Sequence, residues 1–213
     1  MNSTLVEVES LRKIYQRFVI LSLLTFKAKE GEVVGIAGRN GAGKSTFMKI
    51  LAGVLAPTAG SISFTIGGKI IPQNERFQCI GFVSPYLQLY EEFTGWENLD
   101  LCRKIRGIDV EDSRLSALLE QVTLENRGDD VVRTYSSGMK QRLKYACALL
   151  HQPPVLMLDE PTSNLDSEGC DIVRNIVRSQ QEHGLTFIAT NEPDELRWCT
   201  SIIDLNQQGS PLN

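Results

Sequence analysis

The sequence predicts an α/β fold with a mostly parallel sheet and helices on its faces. Three observations carry this. Short apolar, β-branched runs recur along the chain, runs of helical period separate them, and a Gly-rich turn joins the first such strand to the first such helix. "EVVGIAG" (32–38) is apolar on both faces, as a fully buried strand is, and "STFMKILAGV" has helical spacing. "PTAG" (57–60) is a turn, "SISFTI" (61–66) alternates like a strand, and "CIGFVS" (79–84) is another buried strand. From about Thr94 to Gln121 the strands stop. "TGWENLDLCRKIRG" and "VEDSRLSALLEQV" are helical, with Thr94 and Asp112 or nearby polar residues as candidate caps. A polar Ser-Ser-Gly turn opens the helix "MKQRLKYACALLH", and the apolar strand "VLMLDE" (155–160) ends in two acids. "GCDIVRNIVRSQQEH" is helical. "LTFIAT" (185–190) is a strand that breaks into Asn191, Glu192 and Pro193.

A length of 213 residues fits one domain with a subdomain inserted between strands. The net charge of −4 gives no general pull toward nucleic acid, and none is expected as a partner. Five scattered cysteines with no CxxC pair argue against a disulfide framework or zinc site and fit a reducing compartment. The start, "MNSTLVEVESLRK", lacks the pattern of a signal peptide. The greasiest stretch, "FVILSLLTF" (18–26), is far below the roughly 20 residues of a spanning helix.

"GRNGAGKST" (38–46) matches G-x-x-x-x-G-K-[ST] between a strand and a helix, the context this phosphate-binding loop requires. Its residues Gly38, Arg39, Asn40, Gly41, Ala42, Gly43, Lys44, Ser45 and Thr46 are therefore candidate nucleotide ligands. The glycines let backbone N–H groups turn toward phosphate, and the helix N-terminus adds its dipole. Lys44 is placed to reach the β- and γ-phosphates, and Ser45 to ligate Mg²⁺. The strand "VLMLD" delivers Asp159 to the same metal, and Glu160, pointing elsewhere, is the candidate base for an attacking water. An ordinary Gly-rich turn and a solvated acidic loop are the plainer readings. The two motifs together outweigh them.

With "TYSSGMKQRL" (134–143) shortly before the acidic strand, the motifs fall in an order that resembles the ATP-binding subunits of ABC transporters. The finer likeness is to the small ATPases of haem-exporter-like and ABC-2-type exporters. The resemblance covers nearly the whole chain. It implies a P-loop NTPase fold over residues 1–213, with an N-terminal antiparallel β part and a helical subdomain at approximately 86–150. It implies ATP and Mg²⁺ as cofactors and ATP hydrolysis coupled to transport. The implied partners are a separate transmembrane permease subunit and a second ATPase subunit, as homodimer or heterodimer. The implied place is the cytoplasmic face of a membrane. Ser136, Ser137 and Gly138 take the signature position and meet the γ-phosphate of ATP held by the other subunit. Ser136 and Gly138 match the usual L-S-G-G-Q; Tyr135, Ser137 and Met139 depart from it. "SNLD" (163–166) matches the loop that crosses the dimer interface, and Asp166 also suits a helix cap. Tyr15 takes the place of the aromatic that stacks on adenine.

Two positions depart from the family. Where it carries Pro-Gln after "IGFV", this chain has Ser84-Pro85. Gln88, three residues later, either replaces the missing metal-contacting glutamine or is a surface residue. The segment "LYEEFTGWENL" that follows makes Phe93 and Trp96 candidates for the permease contact, with core packing as the alternative. Where the family carries a histidine after the last strand, this chain has Asn191. An amide donates an N–H to phosphate but never becomes cationic. Asn191 is therefore a phosphate contact of weakened power or a cap on the helix begun by Pro193, and hydrolysis is expected to be slow. The alternative functions are a soluble ABC ATPase outside transport, or a nucleotide-sensing module with weak hydrolysis. About ninety residues separate Lys44 from Ser136, too few for the long coiled-coil arm of DNA-repair relatives.

Overall fold

A computed structural model describes residues 3–208 as two sheets and their covering helices. Strands β1 (Thr4–Tyr15) and β2 (Phe18–Lys29) form a long antiparallel hairpin. Next come β3 (Val33–Ala37), α1 (Lys44–Leu51), β4 (Ala59–Ile66), β5 (Lys69–Ile71), the one-turn α2 (Arg76–Cys79) and β6 (Ile80–Val83). The helices α3 (Gly95–Arg106), α4 (Asp112–Gln121) and α5 (Ser137–Leu149) follow with no strand between them. Then β7 (Val155–Asp159), α6 (Ser167–Gln181), β8 (Leu185–Thr190), α7 (Pro193–Leu196) and β9 (Ser201–Asp204) close the order.

One sheet is antiparallel, in the order β2-β1-β4-β5; the other is parallel, in the order β6-β7-β8-β3-β9. The parallel sheet is covered on both faces, which is why its strands carry no polar alternation. Side chains of β7 alternate between two cores. Val155 and Met157 join Phe47, Met48, Leu51 and Phe187, between α1 and the antiparallel sheet. Leu156 and Leu158 join Leu99, Leu118, Leu143, Tyr145 and Val177 under α3 to α6. Asp159 is in phase with Val155 and Met157, so the strand carries it toward α1 and the phosphate loop.

The helix ends have identifiable causes. Thr94 and Glu97 form a capping box on α3, each side chain accepting the other's backbone N–H at 3.1 and 2.8 Å. Gly107, at φ 62, ends that helix in the left-handed region. The cap position of α4 is Glu111, the polar neighbour of Asp112, which is the first helical residue. Asp166 caps α6 by accepting from Gly169 N at 2.8 Å. Trp96 packs against the helical core, whereas Phe93 lies at the surface, stacked on Tyr90 with ring centroids 5.4 Å apart.

Candidate functional site: a phosphate loop at the end of the parallel sheet

The site forms where β3, β7 and β8 end side by side. Ala37 pairs with Thr190, and Asp159 with Ala189, so the three strand ends stand in register. After β3 the chain enters the glycine loop. Ala42 N donates to Arg39 O at 2.9 Å, and Arg39 N to Asn206 Oδ1 at 2.9 Å, which ties the loop base to the C-terminal segment. Gly43 heads α1 at φ 100, and a Cβ there would lie 2.7 Å from Ile20 Cγ2. No side chain caps this helix. Its first-turn N–H groups are therefore left to whatever anion the loop receives. Lys44 is buried and donates from Nζ to Gly38 O at 2.7 Å and to Arg39 O at 3.4 Å, across the loop.

Asp159 is buried at the end of β7, where the hydroxyl of Ser45 bonds its carboxylate. Loss of water raises its pKa above the ordinary carboxylate value; the Ser45 bond opposes this, and the neighbouring Glu160 charge adds to it. Glu160 takes a positive φ of 51, an unfavourable backbone for a residue with a Cβ. Its N–H donates to Ala189 O at 2.9 Å, which fixes that geometry. The bend turns the Glu160 side chain away from the strand and into solvent-accessible space. Beyond it, Tyr145 Oη donates to Pro161 O at 2.7 Å. The buried Glu195 carboxylate accepts from Thr162 N at 3.0 Å and from the Thr162 hydroxyl. These bonds hold the loop after β7 against α5 and α7.

Two cavities adjoin at this end of the sheet. The first, of about 380 Å³, is lined by Asn40, Gly41, Gly43, Lys44, Ser45, Thr46 and Glu160, together with Ile20 and Tyr86. The second, of about 400 Å³, is lined by Asn40, Glu160, Asn191 and residues of the loop after β7. Asn40 and Glu160 are common to both, so one continuous site links the loop to the end of β8. Asn191 is exposed in the second cavity. The cap position of α7 is Glu192, extended at φ −82 and ψ 122 and with no side-chain capping bond, so Asn191 lies one residue outside the cap. Capping therefore does not account for Asn191.

Other candidates lie elsewhere. Gly38, Arg39 and Ala42 form the loop's floor and turn, and Asp159 lies buried beneath Ser45. Gln88 is exposed and does not line the phosphate cavity; Tyr86, two residues earlier, does. The turn after β6 puts Tyr86 toward the loop and carries Gln88 past it. Tyr15 is 44% exposed at the tip of the hairpin, under Lys13 Nζ at 4.9 Å from its ring, outside the cavity that Ile20 lines. Ser136 and Ser137 are exposed at the start of α5, with Ser136 Oγ accepting from Met139 N at 3.2 Å. A Cβ on Gly138 would lie 3.2 Å from Asn164 O, so this helix start abuts the loop before α6. No residue of this segment lines either cavity. Ile20 and Tyr86 were not among the candidates, since neither stands in a motif with a phosphate-binding pattern.

The sequence model of the ABC transporter family matches residues 21–163, from the hairpin through the acidic strand. The chain belongs to the ABC transporter family. It is similar to the linearmycin resistance ATP-binding protein LnrL of Bacillus subtilis (strain 168), at 33% identity over 98% of this chain and 68% of that protein. It is 34% identical to the bacitracin transport ATP-binding protein BcrA of Bacillus licheniformis, over 99% of this chain and 69% of that one. The dimeric structure of the ATP-binding cassette MJ0796 bound to ADP and Pi superposes with a TM-score of 0.81 at 25% identity, covering 93% of each chain. This ABC cassette thus has the α/β P-loop fold of an ATPase and binds ATP. No helix among the described residues is long and apolar enough to cross a membrane.

Proposed function

We propose that this cassette energises an exporter. It binds ATP between two copies or with a second ATPase subunit, and it drives a separate permease at the cytoplasmic face of a membrane. The carrying observation is the continuous site in which the loop 40–46, Glu160 and Asn191 line adjoining cavities at one end of the parallel sheet. Similarity to proteins named for bacitracin transport and linearmycin resistance supports export. In this reading residues 1–213 are one ATPase unit, and approximately 86–150 is its helical subdomain.

The roles follow from placement. Loop N–H groups and Lys44 hold the phosphates, Glu160 accepts a proton from the attacking water, and Asn191 donates to the transferring phosphoryl. Asp159 and the Ser45 hydroxyl suit Mg²⁺: two hard oxygen donors stand together, and the carboxylate is buried at a cost that a cation would offset. That ion would neutralise charge on the phosphates. Tyr15 stacks on adenine from the hairpin tip. Ser136, Ser137 and Gly138, outside the chain's own cavities, serve the nucleotide of the facing subunit. The exposure of Ser136 and Ser137 at a helix start supports this.

Nucleotide titration of the wild type and Lys44→Ala tests the site. ATP binding that falls by two orders of magnitude in Lys44→Ala supports it; unchanged binding refutes it.

A further inference from the structure

Resting on that reading of the phosphate site, we propose that Tyr86 is the residue that recognises the terminal phosphate of ATP from the turn after β6. Of the residues near Pro85, it is Tyr86 that lines the cavity, beside Gly41, Lys44, Ser45 and Glu160. The turn that carries it is well defined. Leu87 N donates to Ser84 O at 3.2 Å, with Pro85 at the second position, where its fixed φ favours the bend. Lys144 Nζ reaches Ser84 O at 3.5 Å and Pro85 O at 3.4 Å from α5. The ring lies 5.9 Å from Lys49 Nζ on α1, the helix that begins with Lys44. The backbone before Tyr86 is thus tied to the helix headed by Ser136, and the Tyr86 ring lies near α1.

The chemistry suits a phosphate oxygen. A phenol O–H donates one hydrogen bond, where a glutamine amide has two N–H donors, and it does so from a longer and stiffer arm. Tyr86 is 76% exposed, so little packing opposes its ring swinging into the cavity. It lines the same cavity as Glu160, the candidate base for the water that attacks the last phosphate. A donor there meets the last phosphate of a nucleoside triphosphate and has nothing to bind in the diphosphate.

The test is equilibrium titration of wild type, Tyr86→Phe, Gln88→Ala and Lys44→Ala with ATP and, separately, with ADP. Removing one hydrogen bond to a charged acceptor weakens ATP binding about tenfold or more in Tyr86→Phe. ADP binding stays at the wild-type value, and Gln88→Ala changes neither. The inference is overturned if Tyr86→Phe binds ATP as tightly as wild type, or loses ATP and ADP equally. Lys44→Ala separates the two levels: if it loses nucleotide while Tyr86→Phe does not, Tyr86 alone is wrongly assigned. If Lys44→Ala binds ATP normally, the phosphate site itself is misread. Circular dichroism of Tyr86→Phe, at so exposed a position, matches wild type.

Discussion

Replacing Asn191 by histidine is expected to accelerate ATP hydrolysis. Asn191 follows the last residue of β8, whose register with β3 and β7 fixes where the side chain starts. Glu192 N donates to Thr190 Oγ1 at 2.9 Å, which steadies the turn on the other side. The adjoining cavity of about 400 Å³ has room for an imidazole, and no capping bond is lost in the exchange. Asparagine supplies a neutral donor. A cationic imidazole supplies a charge-assisted one, roughly twice as strong. With about 1.5–3 kcal/mol for a bond to a charged group, the gain is roughly 1–2 kcal/mol, or about five- to thirtyfold in rate. Phosphate release measured at saturating ATP reads this directly, with Glu160→Gln as the blank. The sign of the pH dependence follows. Only imidazolium adds charge, so the advantage of Asn191→His is largest below about pH 6.5 and shrinks above it. Wild type turning over as fast as Asn191→His throughout that range would refute the reasoning.

Two further outcomes follow from buried titratable groups. Asp159 has a raised folded-state pKa, so its contribution to stability is present at low pH and is lost as pH rises through that value. Asp159→Asn therefore raises the melting temperature of the nucleotide-free chain at pH 7 while removing ATP turnover; scanning calorimetry and phosphate release together check both halves. His151, half-buried with Nε2 3.2 Å from Arg106 Nη1, is pushed down to about 4, by burial first and by the Arg106 charge second. The unfolded chain then takes up a proton that the folded one refuses, and stability falls as pH drops from about 6.5 toward 4. His151→Gln flattens that fall in urea midpoints measured across the window.

The parallel sheet and its phosphate loop were legible because each part carries its own local signal. "VVGIA" and "VLML" are apolar at every position, which only a strand covered on both faces requires, and the glycines sit between strand and helix. Thr94 and Asp166 were readable as caps because a capping side chain acts within three residues. The twelve-residue strands of the hairpin were less legible. Register shifts between Val8 and Ile14, with Ser10 at φ 46, break the period-two pattern that would have announced β1. Motif spacing also misleads at the edges of the site. Gln88 is close in sequence to the expected glutamine, yet it is Tyr86, within the Ser84–Leu87 turn, that lines the cavity. The positive φ of Glu160 leaves no trace in residue type, because it arises from the bond to Ala189 O on β8, nearly thirty residues on.

The most direct test of the account is the assembly state of Glu160→Gln with ATP, followed by sedimentation alongside phosphate release. A cassette whose Ser136–Gly138 segment serves a facing subunit, and whose base is Glu160, forms a stable dimer with ATP, remains monomeric with ADP, and releases no phosphate. If Glu160→Gln binds ATP yet stays monomeric, or hydrolyses ATP at the wild-type rate, the account is contradicted.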